Sequence, residues 1–135
     1  MDSPDRRRTA SLEDIAKAPD ALERPIFSEY HAAGAVSGGY MLRKGRWKFN
    51  YYVDFPPELF DLESDPEELI DLAPDPAYAD TLKALEAALR DICDPEAMNA
   101  LAFADQAAMI ERYGGREAAL KLGAPGATPP PKAEA

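Results

Sequence analysis

The sequence predicts an α+β fold in which a small three- to four-stranded antiparallel sheet packs against a C-terminal helix. Between residues 46 and 53, aromatic and β-branched residues alternate with polar ones, which is the period of a strand buried on one side. Between residues 78 and 92, large apolar residues recur at steps of four and three, the period of a helix with one apolar face. A sheet of this size needs such a helix on one face for stability.

The first predicted strand is followed by a hairpin, in which a tight turn joins the second and third strands. Residues 25–31 alternate in polarity, and a second extended run covers residues 40–43. Lys44-Gly45 favours a tight turn before the third strand, because glycine adopts positive φ at no steric cost. On that strand the residues predicted to face the core are Trp47, Phe49, Tyr51 and Val53.

The fourth extended segment follows a proline pair. Because proline donates no hydrogen bond to a sheet ladder, Pro56-Pro57 predicts a corner of the chain. Residues 58–62 are extended again, and Asp65-Pro66 begins a turn.

Two helices are predicted to begin at Asp-Pro pairs, where the aspartate caps the helix and proline takes its first position. The first helix runs from Pro76 to about Ile92, and the second from Pro95 to about Tyr113, where Gly114-Gly115 ends it. A further helical segment covers residues 116–122. The stripe predicted to pack on the sheet consists of Tyr78, Leu82, Leu85, Leu89 and Ile92.

Three regions follow from this pattern. Residues 1–24 form an N-terminal segment with a short helix capped by Ser11, residues 25–123 form one α+β unit, and residues 124–135 form a disordered tail rich in proline and alanine.

The composition narrows the class of partner. A formal net charge of −10 argues against nucleic acid or an anionic membrane, since both require a basic surface. Cys93 is the only cysteine, so an internal disulfide is excluded. No apolar run approaches the roughly 20 residues of a membrane span, and the N-terminal arginines precede no apolar signal region. We therefore expect a cytoplasmic protein.

The segment from residue 37 to residue 72 resembles the closing section of sulfatases, which belong to the alkaline phosphatase superfamily. The likeness extends over about residues 11–130, and the ending is similar to that of bacterial choline-sulfatase-like members. The residues that carry it are Arg43, Gly45, Trp47, Lys48, Phe49, residues 58–62, Asp65-Pro66, Glu68, Asp71, Leu72 and Ala73, together with the strand at residues 27–31.

The resemblance implies that the chain is the C-terminal subdomain or a truncated fragment of a choline-sulfatase-like or arylsulfatase-like hydrolase, without its catalytic domain. Residues 1–24 are then a remnant of the linker. The family hydrolyses sulfuric esters with a formylglycine and a divalent cation, Ca²⁺, Mn²⁺ or Mg²⁺. We expect this chain to hold no cofactor and to be inactive alone, with a sulfatase catalytic domain or a second copy as partner.

Two alternatives stay open. The chain is a stand-alone protein-interaction module derived from that subdomain, or a non-functional gene remnant. A module would use a bare apolar patch, for which the candidates are Tyr30, Met41 and Tyr52, on strand faces opposite the helix.

Glu29 and His31 are the candidate site residues. The resemblance places the end of their strand near the rim of the substrate cleft, and the two share one strand face. The alternative is that both are ordinary surface or interface residues. No catalytic or metal-binding residue is predicted, since His31 is the only histidine and no metal-ligand spacing is present.

Three further segments favour structural roles. Cys93 and Pro95 match the family's C-x-P-x-R nucleophile motif, but Ala97 replaces its arginine, so a helix junction is the better interpretation. The acidic residues 61–65 lack the glycine and the glutamate of a calcium loop. A basic hairpin tip binds a sulfate or an acidic surface, or else discourages edge aggregation; it consists of Arg43, Lys44, Arg46 and Lys48.

Overall fold

A computed structural model of the chain describes residue 17 and residues 23–31 and 35–121. Within these residues, the strands β1 Ile26–Tyr30, β2 Gly39–Lys44, β3 Trp47–Tyr52 and β4 Phe55–Asp61 form one antiparallel sheet in the order β1-β2-β3-β4. The helices are α1 Ala79–Arg90, α2 Pro95–Arg112 and α3 Arg116–Lys121. The predicted α+β class is confirmed; the helix at Ser11 and the tail at 124–135 lie outside the described residues.

The β2–β3 hairpin has the predicted strands and a turn shifted by one residue. Lys44 still pairs with Trp47, so the turn consists of Gly45 and Arg46 rather than Lys44 and Gly45. Gly45 has a φ of 58°, a left-handed conformation that glycine adopts without a side-chain clash.

The predicted corner at Pro56-Pro57 is wrong. The chain turns three residues earlier, at Val53 and Asp54, where Asp54 has a φ of 65°. Both prolines lie inside β4, at a bulge where they face the single residue Tyr51. β4 is an edge strand, and prolines are tolerated at edges and bulges because no ladder hydrogen bond is lost there.

The helix α1 covers one face of the sheet. A 3₁₀ turn at Pro76–Tyr78, capped by Asp75, leads into it. Its Leu85 and Leu89 are buried against the sheet. The helix ends at Arg90, so Ile92 leaves the apolar stripe and is 45% exposed, contrary to the prediction. The buried core consists of Tyr40, Leu42, Phe49, Val53, Leu59, Leu85 and Leu89.

The helix α2 begins at the predicted cap, with Pro95 buried and Met98 packed against the core. The Asp94 carboxylate accepts a hydrogen bond from the Ala97 amide at 3.0 Å. Gly114 and Gly115, with φ of 87° and 90°, follow α2 and turn the chain into α3, as predicted.

Candidate functional site

The sheet has a second face, opposite α1, that the described helices leave uncovered. We call it the open face. It holds the strand residues that alternate with the core residues, and it is open except near the end of β4, where Phe60 is buried. Its central residues are Ser28, Tyr30, Met41, Asn50, Tyr52 and Phe55.

A groove of about 500 Å³ runs across the open face between the segment at residues 35–37 and the β3–β4 turn. Its lining is mainly apolar. Val36 is 75% exposed, Tyr30 59% and Phe55 51%. The three residues named from the sequence for an uncovered patch, Tyr30, Met41 and Tyr52, all line this groove. A groove of this size lies within the range of ligand and peptide sites.

One side of the groove carries a polar cluster around Glu58. The Asn50 amide nitrogen donates to the Glu58 Oε2 atom at 3.0 Å, and the Tyr52 hydroxyl donates to the same atom at 2.9 Å. Burial and this hydrogen bond raise the pKa of Tyr52 above its ordinary value. Within the described part of the chain, no lysine or arginine forms an ion pair with Glu58.

Glu29 and His31 lie together, as their shared strand face predicts, but on the side of the sheet that faces α2. Glu29 pairs across the sheet with the buried Tyr40. The His31 Nε2 atom lies 3.6 Å from the Glu29 Oε2 atom, and the His31 ring packs edge-on against Tyr40 with centroids 5.4 Å apart. The two ring nitrogens are buried and form no hydrogen bond with the described residues. Their role at a substrate cleft stays a prediction.

The surroundings of His31 are closely packed. The Tyr40 hydroxyl donates to the Pro95 carbonyl at 2.8 Å, and the Asn99 side chain accepts from the Gly38 amide at 2.7 Å. Burial raises the pKa of Tyr40 to about 12. The cavity beside His31 holds only about 10 Å³, which admits one water molecule at most.

These contacts join α2 to the sheet, and the sequence analysis missed them. The only sequence signal is the small residue at Gly38, where a Cβ atom would lie 2.8 Å from the His31 ring. Hydrogen bonds between residues that are 55 to 61 positions apart leave no periodic pattern in a sequence.

Cys93 occupies a structural position. It is half-buried against the core, between the end of α1 and the cap of α2. Burial raises the pKa of its thiol, so the thiol is protonated at neutral pH and is a weak nucleophile.

The end of β4 and the acidic turn after it bind the basic side of the β2–β3 hairpin. The buried Asp61 carboxylate accepts hydrogen bonds from the Nε and Nη2 atoms of Arg46. It also accepts one from the Ser64 hydroxyl at 2.7 Å. These bonds hold the pKa of Asp61 far below its ordinary value. Lys48 forms an ion pair with Glu68 at 2.6 Å. Two of the four hairpin cations are therefore paired within the chain.

A second network links the two helices to β3. The Arg90 guanidinium pairs with Glu86 and Glu96 and lies over the Tyr51 ring, 5.3 Å from its centroid. The Tyr51 hydroxyl donates to Glu96 at 2.5 Å. Hydrogen bonds from Arg90 and Tyr51 lower the pKa of Glu96 to about 2.

The described residues contain no metal-binding cluster and no membrane-spanning helix. No group of three or more histidine, cysteine, aspartate or glutamate side chains in this part of the chain is placed to hold a metal ion. No helix in the same part is long and apolar enough to cross a membrane.

Sequence relatives match part of the chain. Arylsulfatase K of Gallus gallus is 39% identical over 87 residues, which cover 58% of this chain and 16% of that protein. Choline-sulfatase of Rhizobium meliloti (strain 1021) is 42% identical over 52 residues, 38% of this chain and 10% of that protein. The chain thus spans less than a fifth of the length of these relatives. No protein-family model matches it.

Solved structures show the same likeness. A candidate sulfatase from Bacteroides thetaiotaomicron VPI-5482 superposes with a TM-score of 0.54 at 28% identity, covering 67% of this chain and 21% of that one. The 2-O GAG sulfatase BT1596 superposes with a TM-score of 0.53 at 28% identity, covering 68% of this chain and 21% of that one.

Proposed function

This chain is related to sulfatases in sequence and in fold, and we propose that it is the non-catalytic C-terminal section of a sulfatase-like hydrolase. In this role it docks on a catalytic domain, borders the substrate cleft and stabilises the assembly. The observation that carries the proposal is the open face, an apolar groove on one side of a sheet whose other side holds the buried core. Exposed apolar surfaces of this kind mark interaction sites.

The proposed separation from the catalytic machinery is supported by a comparison with the residues that sulfatase chemistry requires. The sulfatase resemblance implies a formylglycine made from the cysteine of C-x-P-x-R, together with a divalent cation. Cys93 is the only cysteine, Ala97 stands in place of the arginine, and the thiol is half-buried at a helix junction. The donors for a cation do not fit either, because the described residues hold no cluster of three ligands. We place the nucleophile and the cation in another polypeptide segment.

The open face is suited to such a contact. Tyrosine, methionine and phenylalanine are enriched where proteins meet, and Tyr30, Met41, Tyr52 and Phe55 supply all three residue types. Covering Tyr30 and Phe55, each more than half exposed, removes apolar surface from water at about 25 cal/mol per Å². The contact is proposed to be with a catalytic domain because the relatives are sulfatases.

A co-purification experiment tests the proposal. The tagged full chain is isolated from its native cell, and the eluate is assayed with p-nitrophenyl sulfate in the presence of Ca²⁺ or Mn²⁺. We expect a bound polypeptide that carries C-x-P-x-R and hydrolysis by the eluate, whereas the recombinant chain alone is inactive. The Phe55→Ser variant removes an aromatic ring from the groove, so it should lose both the bound polypeptide and the activity.

The outcomes separate the alternatives. Turnover by the recombinant chain alone would contradict the proposed separation from the catalytic machinery, and its loss in Cys93→Ala would assign the chemistry to Cys93. A defined partner without the sulfatase motif, or a specific dimer, would favour the stand-alone interaction module. A chain that does not accumulate in its cell would favour the gene remnant.

A further inference from the structure

We propose that the open face binds a basic, apolar segment of the catalytic domain and that Glu58 holds a lysine or arginine of that segment. This inference rests on the proposed function, because it specifies what the docked domain presents to the groove. It makes Glu58 the residue that determines which charge the partner presents at the groove.

The geometry of Glu58 is the first argument. Asn50 and Tyr52 both donate to its Oε2 atom, so the carboxylate is fixed in place beside the groove. Its Oε1 atom accepts no hydrogen bond from any residue that the structure describes. A half-buried carboxylate with one free oxygen gains most from a cationic donor, because charge-assisted hydrogen bonds are roughly twice as strong as neutral ones.

The other carboxylates make the second argument. Three buried or half-buried carboxylates on the neighbouring elements have a cation of their own, while the half-buried Asp65 accepts a hydrogen bond from the Ile70 amide instead. The ion pairs are Asp61 with Arg46, Glu68 with Lys48 and Glu86 with Arg90. Glu58 is likewise half-buried, but no described lysine or arginine lies within ion-pair distance of it. A cation from the partner would give Glu58 the pairing that these three carboxylates have, and covering the open face would raise the cost of leaving its charge without one.

The charges around the groove orient the occupant. Arg43 lies on the open face beyond Met41 and pairs across the sheet with Lys48, whose charge Glu68 compensates. Arg43 forms no ion pair with another described residue, so that end of the face is positive. Glu29, the charged residue among those that line the groove, faces His31. The cation of the bound segment is therefore placed on the β4 side, at Glu58.

The apolar part of the occupant follows from the lining. Tyr52 donates to Glu58 while its ring lines the groove, so an aliphatic stem can lie on the ring as its charged end reaches the carboxylate. Met41 and Phe55 extend the apolar floor on either side. The chemistry favours a lysine or arginine flanked by large aliphatic residues.

The test uses three short peptides as probes of the full chain. They are acetyl-Leu-Lys-Leu-amide and its analogues with norleucine or glutamate in place of lysine. Binding is followed by the NMR signals of the Met41 methyl group and of the amides on β2, β3 and β4. We expect the lysine peptide to bind about fivefold more tightly than the norleucine peptide, the effect of one charge-assisted hydrogen bond, and the glutamate peptide more weakly still.

Two variants assign the preference. Glu58→Gln should bring the lysine-to-norleucine ratio to about one, since the amide removes the charge that attracts the lysine. Glu117→Gln, on α3, removes the same charge at a distant exposed site and should leave the ratio at about fivefold.

The inference is overturned by equal binding of the lysine and norleucine peptides, by a ratio that survives in Glu58→Gln, or by no shift on the open face at millimolar peptide. Such a result leaves co-purification of a catalytic domain unaffected. Conversely, if the chain prefers the lysine peptide but no sulfatase co-purifies with it, the proposed function is contradicted. The cation preference of Glu58 is then unaffected.

Discussion

The two faces of the sheet carry similar residues and differ in what covers them. On the packed face, Phe49 and Leu59 are fully buried beneath α1. On the open face, Phe55 is 51% exposed and Tyr30 59%. Alternation alone therefore does not show which aromatic residues stabilise the fold. The packed face supplies the free energy of folding, and the open face keeps apolar area available for a partner.

The largest expected effect comes from truncating the packed face. Phe49→Ala removes a fully buried ring from the centre of the core, where Leu42 and Leu59 lie opposite it on the neighbouring strands. We expect the free energy of unfolding to fall by about 3–5 kcal/mol, because the lost transfer energy adds to the cost of a cavity. Urea denaturation followed by far-ultraviolet circular dichroism measures the change.

Met41→Ala is the matched control, since Met41 lies on β2 beside these residues but on the open face. Its expected loss is below about 1 kcal/mol because the side chain is only partly covered. Equal losses in the two variants would show that the faces do not differ in the way the burial indicates.

Two neighbouring glycines provide a second comparison. In Gly38→Ala the new Cβ atom lies 2.8 Å from the His31 Cε1 atom and 2.9 Å from the Tyr40 hydroxyl. Tyr40 is held by its bond to the Pro95 carbonyl and cannot easily move away. We expect a loss of about 1–3 kcal/mol in the free energy of unfolding, typical of overpacking.

Gly39→Ala is the control on the other side of the strand. Its Cβ atom meets the Tyr52 ring at 3.4 Å, an ordinary contact on the open face. Thermal unfolding should show a clearly smaller loss of stability for Gly39→Ala than for Gly38→Ala. The reverse order would mean that the closely packed junction lies elsewhere than at His31 and Tyr40.

Local patterns in the sequence predicted most of the fold. The alternation in β3, the steps of four and three in α1 and the Asp-Pro caps each depend on neighbouring residues, so a sequence displays them directly. The corner at Pro56-Pro57 was predicted wrongly because the sequence does not reveal that β4 is an edge strand with a bulge. Ile92 was wrongly assigned to the apolar stripe because the helix ends two residues before it, at Arg90.

The candidate site was predictable only in outline. Alternation identified Tyr30, Met41 and Tyr52 as residues of the uncovered face. The bond from Tyr52 to Glu58 crosses the bulge, whose register depends on the folded sheet. The fit of His31 against Tyr40 likewise depends on the position of α2, which long-range hydrogen bonds determine.

A smaller effect is expected from the ion-pair network beside the packed face. Bonds from Arg90 and Tyr51 lower the pKa of Glu96 to about 2, from an ordinary value of 4.5. A lowered pKa adds stability that is complete above about pH 4.5 and is lost as the pH falls towards 2. Because Glu96 is partly exposed, Glu96→Gln should cost about 1 kcal/mol or less at pH 7.

Unfolding free energies measured between pH 7 and pH 2 test this expectation. The gap between the original chain and Glu96→Gln should be widest at pH 7 and should close as the pH falls through the range in which Glu96 is protonated. Glu117→Gln, which changes the charge equally but on α3, should show no gap that depends on pH in this way. A gap that stays constant down to pH 2 would rule out the charged pair as its source.

The smallest effect on stability, and the largest on docking, is expected at the open face. Phe55→Ser removes a ring that is half exposed at the start of β4, so the free energy of unfolding should change by no more than about 0.5 kcal/mol. The same ring contributes apolar area to the proposed interface, and its loss should abolish capture of the catalytic domain from the native cell. Urea denaturation and the co-purification assay, run on one protein preparation, measure both quantities.

Tyr113→Ser tests whether any exposed ring would serve, because Tyr113 is 55% exposed but lies at the C-terminal end of α2, outside the groove lining. Capture of the catalytic domain should survive this change. Loss of capture in both variants would point to a general dependence on surface apolarity, and retention in both would remove the open face from the docking interface. Docking is assigned to the open face and stability to the packed face only if Phe55→Ser, alone of the two variants, keeps a stable fold and loses capture.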